Sequence, residues 1–208
     1  MQTPGQGSPY IMAKILGVSG SLRENSHSLV IVNTVLEFAR QAGAETRLLD
    51  LREYPLPLYE ANHDYDDNEH VATVTQLVDD CDGIVLGSPE YHGCMSGAMK
   101  NFMDFLYREF AGKVFGLVSA TGGSQGMGCF DNMRAAVHAC HGWALPYVAS
   151  ANGRDFDQDN HLINDRVTDR LRRMGRDLAV YAPLINGQFK TDCDQPSDCI
   201  PGFAQWLS

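Results

Sequence analysis

Short apolar segments alternate five times with longer stretches whose apolar residues recur at helical spacing. A parallel β-sheet flanked by helices is written this way. The strands are read at Lys14–Ser19, Glu45–Leu51, Gly83–Ser88, Val114–Ala120 and about Ala144–Ala149. The third is a continuous apolar run, as a central strand buried on both faces requires. Helices are read at about Ser26–Gln41, up to about Asp80, at about Ser96–Tyr107, about Gln125–Cys140 and about Asn164–Tyr181. In the first, Leu29, Val32, Leu36 and Ala39 recur on one face, and Gly43 stands where a left-handed cap is expected. The last is amphipathic: Val167, Leu171, Met174 and Leu178 face inward, while Arg166, Arg170, Arg173 and Asp177 face out.

A chain of 208 residues builds one α/β core and is short for two. Residues 13–184 read as that domain, 1–12 as a disordered lead-in without the apolar segment of a secretory signal, and 185–208 as an irregular tail. The formal net charge of −10 argues against nucleic acid and against an anionic membrane surface, both of which need a basic footprint. No apolar run approaches the ~20 residues of a membrane helix. The six cysteines form no CxxC pair and read as reduced thiols in a cytoplasm. Cys193 and Cys199 in the tail read as free thiols rather than a clip, and no metal site is expected.

In an open parallel sheet, ligands bind beyond the carboxyl ends of the strands, where the strand order reverses. For the order 2-1-3-4-5 that point lies between strands one and three, so the turns after strands one, three and four matter. The first reads GSLRENSHS from Gly20 and runs into a helix. Free N–H groups and partial positive charge at a helix start suit an anion. Ser21, Ser26 and Ser28 add hydroxyls, and Arg23 adds a planar cation that matches phosphate. Read alone, these serines fit helix capping as well as phosphate binding.

The turn after strand three, SPEYHGCMSG from Ser88, mixes a rigid proline, an aromatic ring, polar groups and glycine. A flat heteroaromatic ligand needs that mixture. Tyr91 alone reads as packing, and His92 alone fits a bare surface position as well as a donor to a ligand edge. Cys94 has no basic neighbour to activate it and reads as inert. The turn after strand four, SATGGSQGMG from Ser119, is rich in glycines that let backbone approach a ligand closely. A phosphate at the first turn, a ring at the second and close backbone approach at the third together describe flavin mononucleotide.

These motifs resemble the NADPH-dependent FMN reductase family, whose flavodoxin-like members include quinone, chromate and azo-dye reductases. The resemblance covers about residues 14–184 and implies a flavodoxin-like three-layer sandwich. It implies that Ser21, Arg23, Ser26 and Ser28 hold the FMN phosphate, and that Pro89, Glu90, Tyr91 and His92 border the isoalloxazine. Ser119, Thr121, Gly122 and Gly123 line its other edge. It further implies hydride transfer from NADPH (or NADH) to FMN, then onward to a small-molecule acceptor such as a quinone, free flavin, azo compound or metal oxyanion. No dedicated catalytic side chain is implied. A homodimer or homotetramer is also implied, and the apolar helix bearing Met99, Phe102, Met103, Phe105 and Leu106 is expected to supply the interface. Ser28 and His92 stand where many members carry Asn, and the turn after strand three is closer to the arsenical-resistance branch.

The rival class is an electron-transfer carrier that binds FMN without oxidising NADPH; Arg23 and the absence of a carrier's Thr/Gly-rich turn favour the reductase. A tyrosine phosphatase needs Cys-x5-Arg after the first strand, and no cysteine lies there.

Overall fold

The structure, a computed structural model, describes residues 12–196 and 202–207. Most of the expected lead-in, and Cys199, lie outside the described residues. Five strands, β1 (Lys14–Ser19), β2 (Glu45–Asp50), β3 (Gly83–Pro89), β4 (Val114–Thr121) and β5 (Trp143–Asn152), form one sheet in the order β2-β1-β3-β4-β5. All four pairings are parallel, so the expected order stands. The helices are α1 (His27–Gln41), α2 (Glu69–Asp79), α3 (Gly97–Asp104), α4 (Met127–Ala139) and α5 (Asp165–Cys193).

Both faces of the sheet are covered, which divides the core in two. One half packs α1 and α5 through Ile31, Val35, Leu171, Met174 and Leu178; the other packs α2, α3 and α4 through Val74, Phe102, Phe130 and Met133. Every residue of β3 is buried, as a strand flanked by neighbours and covered on both sides must be. Helix α1 lies close on β1: a Cβ added at Gly17 would meet Val32 Cγ1 at 2.6 Å. The opening turn crosses to β3, Gly20 N donating to Gly87 O at 2.8 Å, and so sits at the β1/β3 boundary.

Two expectations are corrected. The last helix does not stop at Tyr181 but runs through Pro183 to Cys193, and Gly202–Leu207 forms a further short helix. Proline normally ends a helix because it lacks an N–H. Here Ala182 just before the proline is buried, Ile185 just after it packs on the core, and Phe203 stacks on Phe189 at 5.1 Å, so tertiary packing outweighs the lost hydrogen bond. The second correction concerns α3. Met99, Phe102, Met103 and Leu106 are at most 4% exposed within this single chain. They belong to its own core, and the half-buried Phe105 packs edge-on to Tyr59 and Tyr65. These side chains are engaged within the chain, and the apolar circumference reflects a short helix sunk between neighbours.

Candidate functional site

The turn from β1 into α1 is held from three sides. Ser26 caps α1, its Oγ accepting from Leu29 N at 3.1 Å. Ser96, the cap of α3, donates from Oγ to Gly20 O at 2.7 Å and accepts from Met99 N at 3.1 Å. Its own amide donates to Ser88 Oγ at 2.9 Å. On the other side Arg52, gripped by the buried carboxylate of Asp50, donates from one terminal nitrogen to Arg23 O at 3.2 Å and Glu24 O at 3.1 Å. Sequence reasoning missed Ser96, Asp50 and Arg52 as parts of the site. Ser96 carried a signal, a serine opening a helix, but its reach to Gly20 depends on the sheet.

The four residues expected to hold phosphate share this turn. Ser21, Ser26 and Ser28 are at most 3% exposed. Ser28 Oγ, and Ser19 Oγ at the end of β1, are sealed from solvent without a hydrogen-bond partner. Such groups cost about 1–3 kcal/mol when left unmet. Among the described residues, no protein acceptor takes the N–H groups of His27 and Ser28, and the exposed Arg23 guanidinium has no ion pair or side-chain hydrogen bond. Unmet hydroxyls, free amides and an unpaired cation at one helix start fit a phosphomonoester. Beside them His27 stacks on Phe156, and burial followed by the Arg23 charge pushes its pKa down.

The turn after β3 is a tight hairpin. Tyr91 N donates to Cys94 O and Cys94 N to Tyr91 O, both at 2.9 Å. His92 and Gly93 between them have φ of 53° and 77°, the mark of a turn that prefers Asn-Gly. Pro89 is buried as the last residue of β3, whereas Tyr91 and His92 are exposed.

The turn after β4 leans against this hairpin. Glu90 N donates to Ala120 O at 2.9 Å, and Ser124 Oγ donates to Glu90 Oε2. The Glu90 carboxylate is thus tied to the next turn. Thr121 Oγ1 donates to Ser124 O at 2.8 Å, and Ser119 is fully buried. Gly126, with φ of 75°, caps α4 in a left-handed conformation. A Cβ at Gly128 would collide with Gly93 O, so the first turn of α4 rests on the hairpin. A Cβ at Gly93, Gly122 or Gly123 would meet nothing within 4 Å. Open space therefore borders both turns, as a planar ligand with backbone contacts at its edge needs.

All three turns lie at the carboxyl end of adjacent strands, about 4.8 Å apart. A groove of about 610 Å³ borders the first two, lined by Leu22, Tyr54, Leu56, Leu58, Ala98 and others.

Residues 13–156 match the family model described as NADPH-dependent FMN reductase. The chain is 30% identical over 173 residues to the NADPH azoreductase of Bacillus sp. (strain OY1-2), covering 81% of this chain and 94% of that one. It is 28% identical to the NADPH-dependent FMN reductase ArsH of Shigella flexneri, over 89% of this chain and 74% of that one. The solved apo form of the NADH:FMN oxidoreductase EMOB superposes with a TM-score of 0.73 at 18% identity, covering 84% of this chain and 94% of that one. The chain accordingly belongs to the NADPH-dependent FMN reductase family and is an FMN-dependent NAD(P)H oxidoreductase of flavodoxin-like fold.

Proposed function

We propose that the FMN phosphate docks at the start of α1, on Ser21, Arg23, Ser26 and Ser28, with the ring lying along the two later turns. The observation that carries this is the buried, partnerless Ser28 hydroxyl in the same turn as the unpaired Arg23. Pro89, Glu90, Tyr91 and His92 border one side of the ring, and Ser119, Thr121, Gly122 and Gly123 the other. When bound, FMN supplies the redox chemistry, taking hydride from the nicotinamide and releasing electrons to an acceptor. The protein's part is to hold and orient. Backbone N–H groups of His92, Gly93, Gly122 and Gly123 favour negative charge on the ring's edge, the Tyr91 amide being taken by Cys94 O.

The groove beside Leu22 is lined mostly by apolar side chains, and the Arg52 in its lining is already paired with Asp50. It suits an uncharged aromatic acceptor, a quinone or azo compound, better than a metal oxyanion, whose desolvation would find no free charge to compensate it. We place the protein in a reducing, cytoplasmic compartment, in keeping with its free described cysteines. We assign it a homodimeric or homotetrameric state, to be read by light scattering. No described helix is long and apolar enough to cross a membrane.

The test is a visible spectrum of the purified protein, followed by anaerobic NADPH and an acceptor panel. A yellow protein that NADPH bleaches and a quinone or azo dye recolours is expected. A carrier would stay yellow under NADPH, and a protein that never takes up FMN would end the reading.

A further inference from the structure

His27, the first residue of α1, is not among the residues assigned to FMN, yet it lies inside the phosphate turn. Its ring lies flat on Phe156, centroids 3.9 Å apart and planes 3° from parallel. Phe156 is 7% exposed and belongs to the segment between β5 and α5. The stack holds the imidazole against the segment that follows β5, where a Cβ at Gly153 would lie 3.9 Å from His27 Cε1. The residue next to it in the phosphate turn is Ser28, with its sealed, partnerless hydroxyl. Among the described residues neither ring nitrogen has a hydrogen-bond partner, and no carboxylate pairs with the ring.

The turn of His27 carries Arg23 and Glu24, and Arg52 behind that turn is neutralised by Asp50. The segment bearing Phe156 carries Arg154, Asp155 and Asp157. Asp155 is held by Asn152 N and Asn164 Nδ2, and Asp157 by His161. Asp165 and Arg166 open α5. Of all these, Arg23 is the charge that acts on His27, and with burial it opposes protonation. Without ligand, burial, the Arg23 charge and the helix start all act against a proton on the imidazole.

We propose that His27 is a proton-coupled phosphate clamp: as the FMN phosphate docks, a proton from solvent passes to the His27 ring, and the imidazolium then holds the dianion. This rests on the phosphate assignment above. A dianion at the helix start offsets Arg23 and the helix dipole together, so the sign of the local field at the imidazole reverses. The ring's pKa then rises on binding. By linkage, FMN is held most tightly below that raised pKa, and the advantage disappears as pH rises through it. Each unit of rise corresponds to about tenfold in affinity.

The test compares wild type with His27→Phe, which keeps a flat ring on Phe156. FMN binding is measured by calorimetry in two buffers of different ionisation enthalpy near pH 6.5, and across pH 6–8. Wild type is expected to take up roughly half a proton more per FMN than the variant. Its affinity advantage is expected to shrink by roughly threefold to tenfold from pH 6 to pH 8. The ionisation of the free FMN phosphate near pH 6 is common to both proteins and cancels, and the remaining proton difference belongs to the bound phosphate and imidazolium as a pair. Riboflavin, which lacks the phosphate, should show no difference. Independently of any variant, the His27 ring resonance of wild type should titrate at higher pH with FMN than without. FMN bound by both proteins with equal proton uptake, and a His27 titration unmoved by FMN, would overturn the clamp while leaving the flavin site standing. FMN taken up by neither protein at any pH would remove the site itself, and the clamp with it.

Discussion

Ser96 Oγ reaches Gly20 O at 2.7 Å across 76 positions of sequence, tying the turn that leaves β1 to the residue that caps α3. The same oxygen accepts from Met99 N, so one buried hydroxyl serves as helix cap and as the staple between two of the three site turns. Ser96→Ala leaves Gly20 O and Met99 N without that partner and is expected to destabilise the protein by about 1–3 kcal/mol. FMN affinity should fall as the first turn loosens. Denaturant unfolding and flavin fluorescence titration read the two effects; affinity unchanged despite lower stability would show that the staple does not position the turn.

Arg23 is the unpaired cation of the site, and its loss should be felt by the phosphate alone. Arg23→Ala is expected to weaken FMN by about 1.5–3 kcal/mol, the range for a hydrogen bond to a charged group, with riboflavin affinity unchanged. The deficit should narrow at high salt. Equal weakening of riboflavin and FMN would place Arg23 against the ring instead.

The contact between Gly128 and Gly93 O admits no side chain. Gly128→Ala must push backbone against backbone and is expected to cost about 1–3 kcal/mol and to lower FMN affinity. Gly187, inside α5 with open space where its Cβ would stand, is the internal control. Gly187→Ala should stabilise by about 0.5–1 kcal/mol through reduced freedom of the unfolded chain. Opposite signs from the same chemical change would separate contact from propensity.

Cys81, 4% exposed at the amino end of the sheet, predicts an alkaline signature. Burial is the main reason its thiol is pushed up to about 11 from 9.0. A group held neutral in the folded state contributes stability that is intact below the unfolded value. That contribution is lost as the unfolded thiol ionises between about pH 9 and pH 11. Over that window wild type should lose about 2 kcal/mol more than Cys81→Ala, measured by urea unfolding at each pH. Parallel pH profiles would contradict the burial argument.

The strand positions and the three site turns were legible in the chain because their signals are local. A run such as GIVLGS announces a buried strand by composition alone, and the glycines and serines of the turns are demanded by backbone geometry at each turn itself. The start of α1 was equally plain, since Ser26 caps it within three residues.

What sequence order left open was decided by contacts between distant segments. Pro183 marks a helix end by local rules, yet α5 continues to Cys193 because Ala182 and Ile185 pack against the core and Phe189 against Phe203. Met99, Phe102 and Met103 read as an exposed apolar face until the sheet covers them. The Asp50–Arg52 brace, the Glu90–Ser124 tie and the His27–Phe156 stack each join residues whose types are ordinary at their own positions. Local propensity and periodicity thus determined the elements and the chemistry of the turns. Only the parallel register, which brings the carboxyl ends of β1, β3 and β4 side by side, decided which of those groups would meet and which would be left without a protein partner.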